Sequence, residues 1–233
     1  MKTIGLIGGM SWESSAEYYR IINEEVKKRR GGLHSARCIL YSVDFEEIEM
    51  CQSRGEWHKA AEILANAARS LEAAGAECIV LCTNTMHKVA DEIQAGMRIP
   101  LLHIADITAK QALTHNIKTI GLLGTRYTME QDFYTSRLET QGLKVLTPEE
   151  GDRGIVNEVI YHELCLGEIS NESRNQFKRM IQSLVEQGAE GIVLGCTEIG
   201  LLIKQEDSFV PLFDTTLIHA IGAVDYALSE VIK

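Results

Sequence analysis

The feature that most restricts the fold of this chain is an internal repeat. Lys2-Thr3-Ile4-Gly5-Leu6-Ile7-Gly8 recurs as Lys118-Thr119-Ile120-Gly121-Leu122-Leu123-Gly124. Gly75-Ala76-Glu77-Cys78-Ile79-Val80-Leu81 recurs as Gly188-Ala189-Glu190-Gly191-Ile192-Val193-Leu194. Two blocks that return in the same order and at nearly the same spacing mark a duplicated unit. Any two buried parallel strands look somewhat alike, but an ordered pair of matches goes beyond that resemblance. Each half is therefore expected to build the same topology.

Short runs of Ile, Val and Leu alternate with helical-period segments. The runs expected as strands are Thr3–Ile7, Arg37–Val43, Glu77–Leu81, Pro100–His103, Lys118–Leu123, Lys144–Leu146, Gly191–Leu194 and Phe209–Leu212. Uniformly apolar runs suit parallel strands covered on both faces. Helices are expected at Ser14–Arg30, Trp57–Ala74, Glu172–Gln187 and about Thr215–Val231. Ser14 and Glu17 have capping-box spacing at the first start, and Gly31, Gly75, Gly142 and Gly188 stand where helices should stop. The fold class is α/β, with two similar doubly wound lobes whose parallel sheets are related by a pseudo-twofold axis. Residues 1–104 with 213–233 form the expected first lobe, the last helix returning to it, and 105–212 form the second.

Composition narrows the partners. A net charge of −10 argues against nucleic acid and anionic membrane, which need basic surface. It also leaves carboxylate recognition to local donors such as backbone N–H groups at helix starts. No apolar run reaches the length of a membrane span, and the N-terminal run is too short for a secretory signal, so a cytoplasmic protein without disulfides is expected. The six cysteines show no zinc-ligand spacing, and Asp44, Glu46, Glu47 and Glu49 read as a solvated helix start rather than a metal site. Gly5-x-x-Gly8-Gly9 is not the dinucleotide fingerprint. No lysine sits in a context for a pyridoxal Schiff base. No metal and no cofactor are expected.

Extending the second repeat places Thr83 opposite Cys196, with Cys82 opposite Gly195, Asn84 opposite Thr197 and Thr85 opposite Glu198. Both segments leave the carboxyl end of a buried strand, where open α/β sheets bind ligands. Two lobes facing each other would bring Thr83 and Cys196 to one ligand from opposite sides. Inverting a carbon acid needs that arrangement: a base on one face and an acid on the other. A thiol serves in either role, and a following helix start should lower its pKa and supply thiolate. Nearby backbone N–H groups could hold a carboxylate and spread carbanion charge.

Ile7-Gly8-Gly9-Met10-Ser11, Thr83-Asn84-Thr85-Met86-His87, Gly124-Thr125 with Thr128, and Gly195-Cys196-Thr197-Glu198-Ile199 resemble the aspartate racemase branch of the aspartate/glutamate racemase superfamily. The resemblance runs from about Lys2 to His219. It implies a racemase acting on a small amino acid, aspartate or glutamate favoured, without pyridoxal phosphate. It implies Cys196 as one catalytic group, and Met10, Ser11, Asn84, Thr85, Thr125, Thr128 and Thr197 as the pocket lining. It is compatible with a homodimer. The family's first cysteine directly precedes Asn-Thr; here Thr83 stands in that place and Cys82 lies one residue earlier. Neighbouring side chains at a strand end point oppositely, so Cys82 should point away from the ligand. A hydroxyl opposite a thiol makes an asymmetric catalyst. Cys82, Glu198 and Arg126 are candidate supporting residues, Arg126 as a substitute for the cation that grips substrate in some relatives.

Plainer readings stand beside these. Cys196 could be a packed thiol, Thr83 a helix cap, Glu198 a complement to a helix dipole, and His87 a helix-surface or supporting histidine. His103 and His219 have no partner the sequence reveals. A related isomerase or decarboxylase (hydantoin racemase, maleate isomerase or arylmalonate decarboxylase type) keeps the fold and changes the reaction. A non-catalytic amino-acid binding module is the alternative of another class.

Overall fold

The computed structural model describes residues 1–229. The chain divides into two compact units, one of Met1–His103 with the segment from His219 onward, the other of Ile104–Ile218.

The first unit carries β1 (Ile4–Gly8), α1 (Trp12–Arg30), β2 (Cys38–Ser42), α2 (Phe45–Ser53), α3 (Trp57–Ala73), β3 (Cys78–Leu81), α4 (Ala90–Ala95) and β4 (Leu101–Leu102). The four strands form a parallel sheet in the order β2-β1-β3-β4. The chain runs to one side of β1 and then crosses back to β3, so the order reverses between those central strands. Side-chain alternation sorts the core into two layers. Ile7, Ile79 and Leu81 pack with Leu64, Ala68 and Leu71 of α3 and Ile48 of α2. Ile4, Leu6, Cys78, Val80 and Cys82 pack on the opposite face with Tyr18, Ile22 and Val26 of α1. Ala220, Ala223, Val224 and Ala227 of the last helix join that second layer.

The second unit carries α5 (Ile104–Thr114), β5 (Thr119–Gly124), α6 (Arg126–Glu130), α7 (Asp132–Thr140), β6 (Lys144–Leu146), α8 (Glu150–His162), α9 (Asn171–Glu186), β7 (Gly191–Gly195), α10 (Ile199–Leu202), β8 (Leu212–Asp214) and the start of α11 (Thr215–Leu228). Its parallel sheet has the order β6-β5-β7-β8, which is the first sheet's order over again. The repeat reaches into register: Ile4 pairs with Cys78 in one sheet, and the equivalent Ile120 pairs with Gly191 in the other. In α9 the buried Phe177, Met180, Ile181 and Leu184 follow a helical stripe, and Ser170 caps the start by accepting from the N–H groups of Glu172 and Ser173.

Most expected elements are present within a residue or two, and two need correction. α1 begins at Trp12, because Ser11 is its N-cap and accepts the Ser14 N–H at 3.3 Å; Ser14 lies inside the helix. The strand expected at Phe209–Leu212 is instead Leu212–Asp214: Phe209 is 95% exposed, and pairing starts only after Pro211, which has no N–H to give. The last helix ends at Leu228 among the described residues, and the expected stretch 230–231 lies outside them. Helices α1, α3, α7 and α9 stop at Gly31, Gly75, Gly142 and Gly188, each at positive φ. Asp44 caps α2 through the Glu46 N–H, as its solvated acidic start suggested. Among the described residues no helix is long and apolar enough to cross a membrane.

Candidate active site

Within the first unit, the segments after β1 and β3 leave the same edge of two adjacent strands, and the Cys82 N–H donates to Ile7 C=O at 2.9 Å. The turn after β1 requires glycine at position 9. Its φ is 95°, and a Cβ there would stand 2.1 Å from the Val43 carbonyl oxygen. Ser15, which no sequence motif singled out, ties this turn together: its hydroxyl accepts from the Gly9 N–H and donates to Ser11 C=O, both at 2.8 Å. Its only sequence signal is the hydroxyl run Ser11, Ser14, Ser15. Met10 is buried in the same apolar cluster as Ile7 and Met86, and Ser11 Oγ serves as the cap of α1.

After β3 the chain turns tightly, with the Thr83 N–H donating to Leu81 C=O at 2.8 Å. A 3₁₀ turn, Thr85–Val89, follows with Asn84 at its start. Thr83 is thus not the cap. Thr83, Asn84 and Thr85 are all buried, with Thr83 8% exposed. Cys82 faces the α1 layer, fully buried, as strand alternation required. Burial pushes its thiol well above the usual range. His87 is no surface residue: it is 2% exposed, and its Nδ1–H donates to Thr83 C=O at 2.8 Å.

In the second unit, β5 and β7 end together, with Gly124 paired to Gly195. A Cβ on Gly124 would lie 2.9 Å from Gly195 O. Thr125 caps α6 through the Thr128 N–H at 3.3 Å, and the two threonine hydroxyls lie 3.2 Å apart. The Arg126 N–H is taken by Asn157 Oδ1 at 3.0 Å, and its guanidinium, half-exposed, lies 3.7 Å from Glu130.

Cys196 follows β7 and is 8% exposed. Its S–H donates to Glu198 Oε2 at 3.0 Å, and the Thr197 hydroxyl donates to the same oxygen at 2.6 Å. Glu198 is itself buried. The thiol is pushed well above its ordinary range, first by burial, then by the charges of Glu198 and Cys165 and by the hydrogen bond to Glu198; a backbone contact from Glu198 opposes this weakly. The expectation of a thiol made acidic by a helix start is overturned. The helix that follows, α10, is one turn of four residues, too short to offset a buried carboxylate. At rest the group is a neutral thiol hydrogen-bonded to a carboxylate, able to give a proton directly or take one after passing its own to Glu198.

Two like-ordered parallel sheets, each with polar turns at the carboxyl ends of its central strands, define a duplicated α/β protein. The chain belongs to the Asp/Glu/hydantoin racemase family, whose model matches residues 7–221, and this is a family of isomerases. It is similar to a protein from Yersinia pestis, provisionally described as an Asp/Glu racemase, whose crystal structure is 61% identical (TM-score 0.93, 98% of this chain and 100% of that one covered). PH1733 from Pyrococcus horikoshii OT3, described as an aspartate racemase homologue, is 36% identical (TM-score 0.85, 98% and 100% covered). The broad specificity amino-acid racemase RacX of Bacillus subtilis (strain 168) is 24% identical over 97% of this chain and 98% of its own.

Proposed function

We propose that this chain is a pyridoxal-phosphate-independent amino-acid racemase, with aspartate or glutamate the favoured substrate, in which Cys196 and Thr83 exchange protons with opposite faces of the α-carbon. The observation that carries the reading is the Cys196 thiol donating to the Glu198 carboxylate at the carboxyl end of a central strand, in a chain of a racemase family. The similarity to an aspartate racemase homologue supports an acidic substrate.

To act as base, Cys196 passes its S–H proton to Glu198 and the thiolate takes the α-hydrogen; Thr83 hands its hydroxyl proton to the other face and regains one from solvent as Glu198 releases one to solvent. In the opposite sense, the Thr83 hydroxyl gives its own proton to solvent as it takes the α-hydrogen, and the Cys196 thiol protonates the carbanion and is reprotonated from solvent. A hydroxyl is a much weaker base than a thiolate, so one enantiomer is deprotonated faster than the other.

Proton NMR in D₂O with both enantiomers of aspartate and glutamate tests this. Loss of the α-hydrogen is expected from both, unequally, with Thr83→Cys accelerating the slower. Turnover of maleate or malonates in place of exchange would indicate a related isomerase or decarboxylase. Binding of amino acids with no exchange would leave a binding module.

A further inference from the structure

Three buried histidines of the first unit have no part in the proton transfers above. His87, His103 and His219 are each at most 6% exposed. The ring of His87 lies edge-on to His103 (4.5 Å, 63°) and to His219 (5.7 Å, 66°). His219 is held at both nitrogens: Nε2 is 2.7 Å from Leu102 C=O and must donate, so Nδ1, 2.9 Å from Tyr18 Oη, accepts. Among the described residues no group of three His, Cys, Asp or Glu side chains is disposed to hold a metal ion. The rings are understood by what they fasten.

What His87 fastens is the backbone of Thr83. The N–H of Thr83 is committed to Leu81 C=O, and its carbonyl takes the imidazole Nδ1–H at 2.8 Å. The His87 N–H in turn bonds Asn84 C=O at 3.1 Å, closing the 3₁₀ turn over the same segment. Both peptide groups flanking Thr83 are thereby immobilised. An apolar side chain would fill the space as well. A donor at this place fixes the backbone dihedral angles of residue 83 and hence the direction of the Cα–Cβ bond that carries its hydroxyl. The neighbouring rings hold His87 against rotation.

We infer that His87 is the positioning residue of Thr83, orienting its hydroxyl through the carbonyl bond without touching substrate. This rests on the role given to Thr83 above. Misplacing a reacting group by about an ångström costs as much as 10²-fold, and the loss should fall only on steps that use Thr83.

Three rates separate the possibilities: α-deuteration with retention of the enantiomer that Cys196 deprotonates, its inversion, and exchange of the opposite enantiomer. His87→Leu is expected to lower the last two by roughly 10- to 100-fold and to leave the first, and its KM, within about threefold. His87→Asn keeps an N–H donor at the same bond from Cγ and should restore most of the loss. Should His87→Leu not fold, His87→Gln, which moves the donor one bond outward, takes its place with the same expected pattern. Equal loss in all three rates, or none, with Thr83→Ala still selective for inversion, overturns the inference and spares the reading of Thr83. A Thr83→Ala protein that inverts normally overturns both.

Discussion

A cysteine following a strand and preceding a helix is usually read as an activated thiolate, yet Cys196 sits beside a buried carboxylate that keeps its proton on. Glu198 accepts from both Cys196 and Thr197, and its charge works against thiolate formation. This predicts a separation of reactivity from function. Glu198→Gln removes the repelling charge, so the thiol pKa should fall and iodoacetamide should alkylate Cys196 faster at pH 8 than in the wild type. Racemisation by the same variant should drop on the order of 10²-fold, because the proton acceptor proposed for Cys196 is gone. Slower alkylation would show that Glu198 does not hold the proton on the thiol, and unimpaired racemisation that it is not the proton acceptor. The place of Cys196 just past the carboxyl end of a buried strand was legible from the repeat. The sign of its pKa shift was not: it depends on how short α10 is and where one carboxylate points.

The element that shapes the first unit's polar edge is the turn from β1 into α1. Gly9 holds a φ of 95° against Val43, and the Ser15 hydroxyl bridges Gly9 to Ser11. Gly9→Ala combines backbone strain with a clash that no side-chain rotation relieves. It should cost about 2–5 kcal/mol in urea unfolding, and a change under about 0.5 kcal/mol would mean the turn relaxes freely. The central strands could be recognised from sequence because strands buried on both faces show as unbroken runs such as Ile79–Leu81 and Gly191–Leu194. The start of α1 was misplaced because three serines compete for the cap and only geometry selects Ser11. The last strand was misplaced because Val210 and Phe209 look apolar, while Pro211 delays pairing. The His87, His103 and His219 rings meet across stretches of chain too long for any local pattern to disclose.

At the scale of the whole chain, duplication is the organising fact: two four-stranded parallel sheets of the same order, with the repeated blocks forming the paired central strands of each. Each unit has its own apolar core, and each presents polar turns at the carboxyl ends of those strands. A net charge of −10 supplies no attraction for an acidic amino acid, so the proposed substrate would have to be recognised locally. Several turn N–H groups are already committed internally, those of Gly9, Arg126 and Thr128 among them. The assignment of Cys196 as the stronger proton-transfer group is decided by α-deuterium incorporation into aspartate and glutamate by Cys196→Ala, followed by proton NMR beside the wild type. Incorporation from the faster enantiomer should fall by about 10²–10⁴-fold with the protein still folded; incorporation at a near wild-type rate would contradict it.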